Sequence, residues 1–265
     1  METLLLRRDD DVATLTFNRP EKKNAINQVM WRELLEAFDE LEDDPSVRVL
    51  ILTGAGDAFT SGADLSPGGL GGIPDSGPGG LGGSVRAMRI VGRVALRLHE
   101  LHLPTIAAVN GVTTGAGCNL ALGCDLIVAA DTARFSEIFA RRGLSLDGGG
   151  SWLLPRLIGL HRAKQLAYLA DIISAAEAAE LGLVNWVIPA GELMGFVEDL
   201  ARRIAAQAPV QLQIMKRQLN QSFSVSMAEA LEFEDLAQAA NFGSKDTAEA
   251  MAAFLERRDP RFTGE

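Results

Sequence analysis

Apolar positions along the chain switch repeatedly between two periods. Residues 3–8 and the stretch VATLTFNR (12–19) alternate as hairpin strands do, with Asp9, Asp10 and Asp11 as the turn between them. Over residues 28–42, Met30, Leu34, Leu35, Phe38 and Leu41 fall at helical spacing, and Pro45 follows the stop. VRVLILTG (47–54) is an apolar run suited to a buried strand, and the polar, glycine-containing turn GDAFTSGADL (56–65) follows it. The pattern then recurs. A helix is expected over 85–101, closed by Pro104, then a strand at TIAAVNG (105–111), a short apolar helix, a strand at DLIVAA (125–130) and a short strand near 133–136. LDGGGSWLLPRLIG (146–159) reads as a loop feeding a helix that HRAKQLAYLA (161–170) continues. LVNWVIP (183–189) is a strand before a largely helical stretch from about residue 192 to 258. Strand and helix units followed by a helical tail predict an α/β or α+β architecture.

Residues 66–84, SPGGLGGIPDSGPGGLGGS, interrupt this regularity. So much glycine and proline is not expected to sustain regular structure. The flanking units continue the same pattern, so the segment reads as a mobile loop inserted in one domain rather than a linker between two. The expected organisation is a core over 1–190 and a helical region over 191–265 that serves packing and oligomerisation.

Composition narrows the class. The chain has 265 residues, 47% of them hydrophobic, enough for a sizeable core. A net charge of −10 suggests no nucleic-acid surface but leaves room for a local basic patch. Cys118 and Cys124 lack a metal-ligand spacing and read as buried free thiols in a reducing compartment. The N-terminus lacks a signal-peptide pattern and no apolar run reaches membrane-spanning length, so a cytoplasmic location is expected, with no membrane partner.

Two stretches share one design. In FTSGADL a Gly-Ala step follows a strand and turn, and in TTGAGCNL Gly115 and Ala116 begin a helix. Small residues let a ligand approach the main chain closely, and the first N–H groups of a helix have no partner within it. Two such turns could aim two main-chain donors at one oxygen as an oxyanion hole. Spacing alone leaves open whether they converge.

NRPEKKNAIN, LTGAGDAFTSGADL, AAVNGVTTGAGCNLALGCDLIVAA and GGSWLLPRLIG resemble, in order and spacing, the enoyl-CoA hydratase/isomerase (crotonase) superfamily, from about Thr3 to Phe262. The resemblance implies an α/β fold, a spiral of ββα units with a helical C-terminal region, assembled as trimers or pairs of trimers. It implies an acyl-CoA thioester substrate whose enolate is held by two main-chain N–H groups, here those of Ala63 and Ala116. Coenzyme A belongs to the substrate, and neither a separate cofactor nor a metal is implied. The family's CoA contacts map onto Lys22, Lys23, Ala25, Asp64 and Leu65. Lys22 and Lys23 read equally well as solvated charge, and Asp64 as a cap or turn residue.

The hydratases of this family use two glutamates. The position three residues beyond the second donor holds Asn119 here, and the position four residues after Phe135 holds Phe139. Neither an amide nor a phenyl ring exchanges a proton near neutral pH. Glu137 is a neighbour of the second vacancy, but on a strand it would share a face with Phe139 one pair too early, which favours a solvated or structural role. Asp147 lies in the loop where isomerase and dehalogenase branches of the family place a catalytic aspartate; its alternative is an Asp-Gly turn. The run SLDGGGSWLLPRLIGLHRAK looks like the branch that isomerises ring-epoxide or unsaturated acyl-CoA esters, and one carboxylate suits double-bond migration better than hydration. Phe139 and Trp152 are candidates for an acyl pocket or plain core, with Asn119 beside them.

Other readings are weaker. His99 and His102, at i and i+3, lack the rest of a zinc helix, and His161 reads as helix-terminal. GVTTGAG matches a dehydrogenase glycine spacing, but it lies too late in the chain, and Ile172 stands four residues after the only tyrosine, Tyr168, where a lysine is needed. An idle CoA-binding protein and an acyl-CoA hydrolase remain as alternatives.

Overall fold

The computed structural model describes residues 1–66 and 80–265. The opening hairpin is β1 (Leu4–Asp9) and β2 (Val12–Phe17), antiparallel, with Leu4 opposite Phe17 and Asp9 opposite Val12. Helix α1 (Gln28–Glu42) is capped by Asn27, whose side chain accepts from the Met30 N–H, and it buries Met30, Trp31, Leu34, Phe38 and Leu41.

The spiral lies in the next three repeats. The first supplies β3 (Val49–Gly54), β4 (Ala58–Thr60) and α2 (Gly80–Glu100). The second supplies β5 (Thr105–Val109), β6 (Val112–Thr114) and α3 (Ala116–Leu122). The third supplies β7 (Leu126–Ala130), β8 (Arg134–Ser136) and α4 (Gly150–Leu169), which is broken at Gly159 (φ 74°, ψ 160°). Each repeat gives its longer strand to one sheet and its shorter strand to another. With β9 (Ile173–Ser174) and β10 (Trp186–Ile188), the sheets run β1-β2-β3-β5-β7-β10 and β4-β6-β8-β9. The central pairs of both sheets are parallel. The buried runs of β3 (Val49 to Thr53) and β5 are therefore what a strand covered on both faces requires.

Helix α5 (Ala175–Leu181) precedes β10, and α6 (Leu193–Ala205) follows it, burying Leu193, Val197 and Ala201 in the same core as β3 and β5. Helices α7 (Pro209–Gln221), α8 (Met227–Asn241) and α9 (Lys245–Glu256) complete the chain and leave Leu219, Phe223, Met227, Phe242 and Phe254 largely exposed. No described helix is long and apolar enough to cross a membrane.

Two expectations are corrected. Helix α2 starts at Gly80, inside the stretch expected to be irregular. Pro78 is the last proline of that stretch, and glycine lowers helix propensity by only about 1 kcal/mol per residue without forbidding it. Most of the expected mobile loop, residues 67–79, lies outside the described residues. The strand ending at Ser136 also does not carry Glu137 and Phe139 on a common face, because the chain turns at Glu137 (φ −84°, ψ 63°) into a 3-10 helix, Ile138–Arg142. The two- and three-residue strands β4, β6 and β9 were missed, being too short to show alternation.

Candidate active site

The second sheet brings the two Gly-Ala turns together. β4 and β6 are parallel neighbours, with Ala58 opposite Val112 and Thr60 opposite Thr113, so the turns leave adjacent strand ends in one direction. The Thr114 hydroxyl donates to the Ser61 carbonyl at 2.8 Å, tying one turn to the other. Contact is close enough to exclude side chains. A Cβ on Gly62 (φ 84°) would lie 2.6 Å from the Thr114 carbonyl oxygen and 3.6 Å from the Ala116 nitrogen. A Cβ on Gly117 would lie 2.4 Å from the Thr60 methyl.

Main-chain bonding then frees the donors. Ile26 forms a parallel bridge to Ala63, in which the Ile26 N–H donates to the Gly62 carbonyl and the Asp64 N–H donates to the Ile26 carbonyl. That pattern uses the groups on either side of Ala63 and turns its own N–H the other way. Ala116 is the first residue of α3, so its N–H has no intrahelical partner. The Gly115 N–H donates to the Ser136 carbonyl, and Phe139 and Ile138 pack against Gly115 (φ 55°). Phe139 is buried beside the second donor.

The side-chain part of the site hangs on Asn119, which is buried on α3 one turn beyond Ala116. Its Nδ2 donates to the Asp147 carbonyl at 2.8 Å and reaches Oε2 of Glu137 at 3.4 Å. The Asp147 carbonyl also accepts from the Gly150 N–H at 3.0 Å. Gly148 (φ 56°) and Gly149 (φ 90°) make the turn that returns the chain to α3. A Cβ at Gly150 would sit 2.5 Å from both polar atoms of Asn119, so glycine is required for the amide to reach the loop.

Burial raises the carboxyl of Asp147 to about 6. Glu137, 3% exposed, is raised to about 7, chiefly by burial and further by the charge of Asp147, against the opposing effects of Cys118 and Asn119. This corrects the solvated reading of Glu137. The 3-10 turn, absent from a strand-based count, sends its side chain inward. Asn119 Oδ1, Glu137 Oε1 and Asp147 Oδ1 are buried without a hydrogen-bond partner among the described residues.

The other candidates take separate places. Lys22 and Lys23 are exposed at the end of a short 3-10 helix, Pro20–Lys22, and their carbonyls accept from the Ser61 side chain and N–H. Asn24 (φ 55°) fastens this turn to the β3–β4 connection, donating to the carbonyls of Ala55 and Ala58. Ala25 is buried, and its carbonyl accepts from Arg19 Nη1, which also pairs with Asp64 at 2.9 Å. Asp64 caps the Ser66 N–H as well, and these bonds outweigh desolvation to lower its pKa. Leu65 is exposed. Trp152 meets the edge of His99 at 5.1 Å, carries the Arg156 guanidinium 3.9 Å above its ring, and lines a cavity with Leu122, Met215 and Phe223. Arg19, Asn24 and the burial of Glu137 were not anticipated. Arg19 and Asn24 stand within the motif NRPEKKNAIN, which was the available signal for both.

The histidines lie apart, and of the two thiols only Cys118 faces the site, against Glu137. His102 pairs with Glu42 at 3.1 Å, burial lowers the pKa of His99, and His161 is exposed. Cys118 and Cys124 are free and buried, which raises the Cys118 thiol well above its ordinary value and pushes Cys124 to about 12.

The combination of a two-sheet ββα spiral and paired main-chain donors defines a class, and sequence comparison agrees. The enoyl-CoA hydratase/isomerase family profile matches residues 7–265. The chain is 39% identical to the 1,2-epoxyphenylacetyl-CoA isomerase of Escherichia coli, covering 100% of this chain and 99% of that protein. It is 36% identical to the short-chain-enoyl-CoA hydratase of Clostridium acetobutylicum, covering 97% and 96%. The crystal structure of an enoyl-CoA hydratase from Bacillus anthracis superposes with a TM-score of 0.92 at 31% identity, covering 99% of this chain and 100% of that one. The chain is an enzyme of the enoyl-CoA hydratase/isomerase, or crotonase, family.

Proposed function

We propose that this enzyme moves a double bond in an acyl-CoA thioester, with Asp147 as its acid/base. The observation that carries the reading is the environment of Asn119. At the place where the hydratases hold one glutamate, the chain puts an amide whose N–H groups are aimed at the loop and at Glu137. With Glu137 turned toward Asn119, Asp147 is the carboxyl assigned to exchange protons with an ester held by Ala63 and Ala116.

On a 3-enoyl ester the Asp147 carboxylate removes a proton from C2. The electron pair of that C–H bond moves into the thioester, and the dienolate oxygen accepts from the Ala63 and Ala116 N–H groups. Asp147, now protonated, returns the proton at C4, giving the 2-enoyl ester and regenerating the carboxylate. A carboxyl near 6 suits both halves of this exchange near neutral pH. In this reading Phe139 and Asn119 border the acyl chain. Lys22, Lys23, Ala25 and Leu65 lie along the CoA moiety, and Asp64 shapes that border through Arg19. The exposed apolar side chains of α7 to α9 support self-association as a trimer or pair of trimers. Buried thiols fit the reducing cytoplasm.

The test is incubation in deuterated water with straight-chain 2-enoyl and 3-enoyl CoA esters and a ring-bearing unsaturated ester. Double-bond migration lost in Asp147→Asn supports the reading. Rapid water addition that survives this substitution overturns it in favour of a hydratase, and release of free CoA overturns it in favour of a hydrolase. Tight CoA-ester binding with no turnover indicates an idle binder.

A further inference from the structure

Glu137 has no part in the reaction just described, although it is a buried acid within reach of Asn119. Its two oxygens are unequal. Oε2 lies 3.4 Å from Asn119 Nδ2, whereas Oε1 is buried without a partner among the described residues. Asn119 commits both hydrogens of its amide, one to the Asp147 carbonyl and one to Glu137, which fixes the amide's orientation because both partners accept. Asn119 Oδ1 and Asp147 Oδ1 are also left without donors. Three buried acceptors with only the weak S–H donor of Cys118 facing Glu137 form a costly set. A proton on Glu137 turns one acceptor into a donor without disturbing the amide.

We propose that Glu137 is a positioning residue that works in its protonated form, steadying Asn119 and through it the main chain of Asp147. The proposal deepens, and rests on, the isomerase reading above. The titratable groups facing Glu137 are the Cys118 thiol on α3 and the Asp147 carboxyl on the loop, and the charge of Asp147 helps to keep Glu137 protonated. Ionising Glu137 would place a second negative charge behind the carboxylate and near the dienolate. Activity should therefore rise as Asp147 ionises and fall as Glu137 ionises, near the value of about 7 to which it is raised.

Two arms test this. In the kinetic arm, with the unsaturated CoA ester that turns over, Glu137→Ala lowers kcat about tenfold while KM moves little. Glu137→Gln, which keeps a neutral group with a donor and an acceptor, restores most of kcat and abolishes the alkaline fall while leaving the acid limb in place. In the spectroscopic arm, the infrared band of protonated carboxyl groups is titrated in the native protein, Glu137→Gln and Asp147→Asn. The band assigned to Glu137 by its loss in Glu137→Gln persists to near neutral pH and disappears at lower pH in Asp147→Asn. An alkaline limb unchanged in Glu137→Gln, or failure of Gln to rescue Ala where both variants melt like the native protein, overturns the proposal. So does a Glu137 that is ionised throughout or indifferent to Asp147. If no ester turns over, the isomerase reading fails, and the infrared arm still decides whether Glu137 is a protonated partner of Asp147.

Discussion

The two halves of the site are built from different materials. The donor half is main chain. Parallel strands β4 and β6, the Ile26–Ala63 bridge and the start of α3 place two N–H groups without help from the side chains of Ala63 or Ala116. The carboxyl half is made of side chains from three elements, Asp147 on a glycine-rich turn, Asn119 on α3 and Glu137 before the 3-10 helix, with three oxygens unpartnered among the described residues. The first half is held by main-chain hydrogen bonds that leave two N–H groups free, whereas the second carries buried oxygens without donors. The two main-chain donors are thus set by the fold and the nearby carboxyls by a few side chains, in keeping with functions grafted onto a shared scaffold.

The sharpest way to break this division is Asp147→Asn, which should reduce isomerisation by about 10²–10⁴ with binding of a CoA ester retained, read by steady-state kinetics and calorimetry. Damage to the main-chain half comes next. Gly62→Ala drives a Cβ against the Thr114 carbonyl at a positive φ and should cost about 10²–10³ in kcat, with melting curves separating misfolding from loss of a donor. Asn119→Asp replaces a donor by an acceptor facing the Asp147 carbonyl and Glu137, and an activity loss of about tenfold to a hundredfold is expected without any gain in water addition.

Stability should move opposite to activity in the side-chain half. Asp147 has a folded pKa raised from 3.8 to about 6, so between those values the folded protein binds more protons than the unfolded chain. Its contribution to stability is therefore present below about pH 4 and lost as pH rises through about 6. Asp147→Asn should melt several degrees higher than the native protein at pH 7.5, with the difference vanishing near pH 4; a lower melting point at pH 7.5 would contradict the desolvation of this carboxyl. The smallest effect belongs to the exposed lysines. Lys22→Ala with Lys23→Ala should raise KM for the CoA ester about two- to fivefold, more at low salt, and leave kcat alone.

How much of this could be read in advance follows the same division. Gly62, Ala63, Gly115 and Ala116 announce close main-chain approach, because only small residues and a positive φ permit it. Their convergence was not legible, since it depends on pairing between strands of three residues. Asp147 stood out through its glycines and the family resemblance. Of the two readings of Glu137, solvated or structural, burial overturns the solvated one, because the strand does not continue past Ser136 to Phe139 and the turn at Glu137 sends its side chain inward. The Arg19–Asp64 pair joins positions 45 residues apart, and no local period reports such a partner.

The contact between Gly150 and Asn119 also limits the order in which this site could be changed. With both polar atoms of the amide 2.5 Å from where a Cβ at Gly150 would sit, and the Asp147 carbonyl against Nδ2, the room at position 119 is already occupied. A longer acid introduced there alone meets a main-chain oxygen, and a larger residue at position 150 alone displaces the amide. Each single step meets this close contact, so converting the site to a two-carboxylate design is expected to need the loop from Asp147 to Gly150 remodelled first or together with position 119. Directed evolution by single substitutions should stall here, whereas exchange of the whole loop with residue 119 offers a passable route.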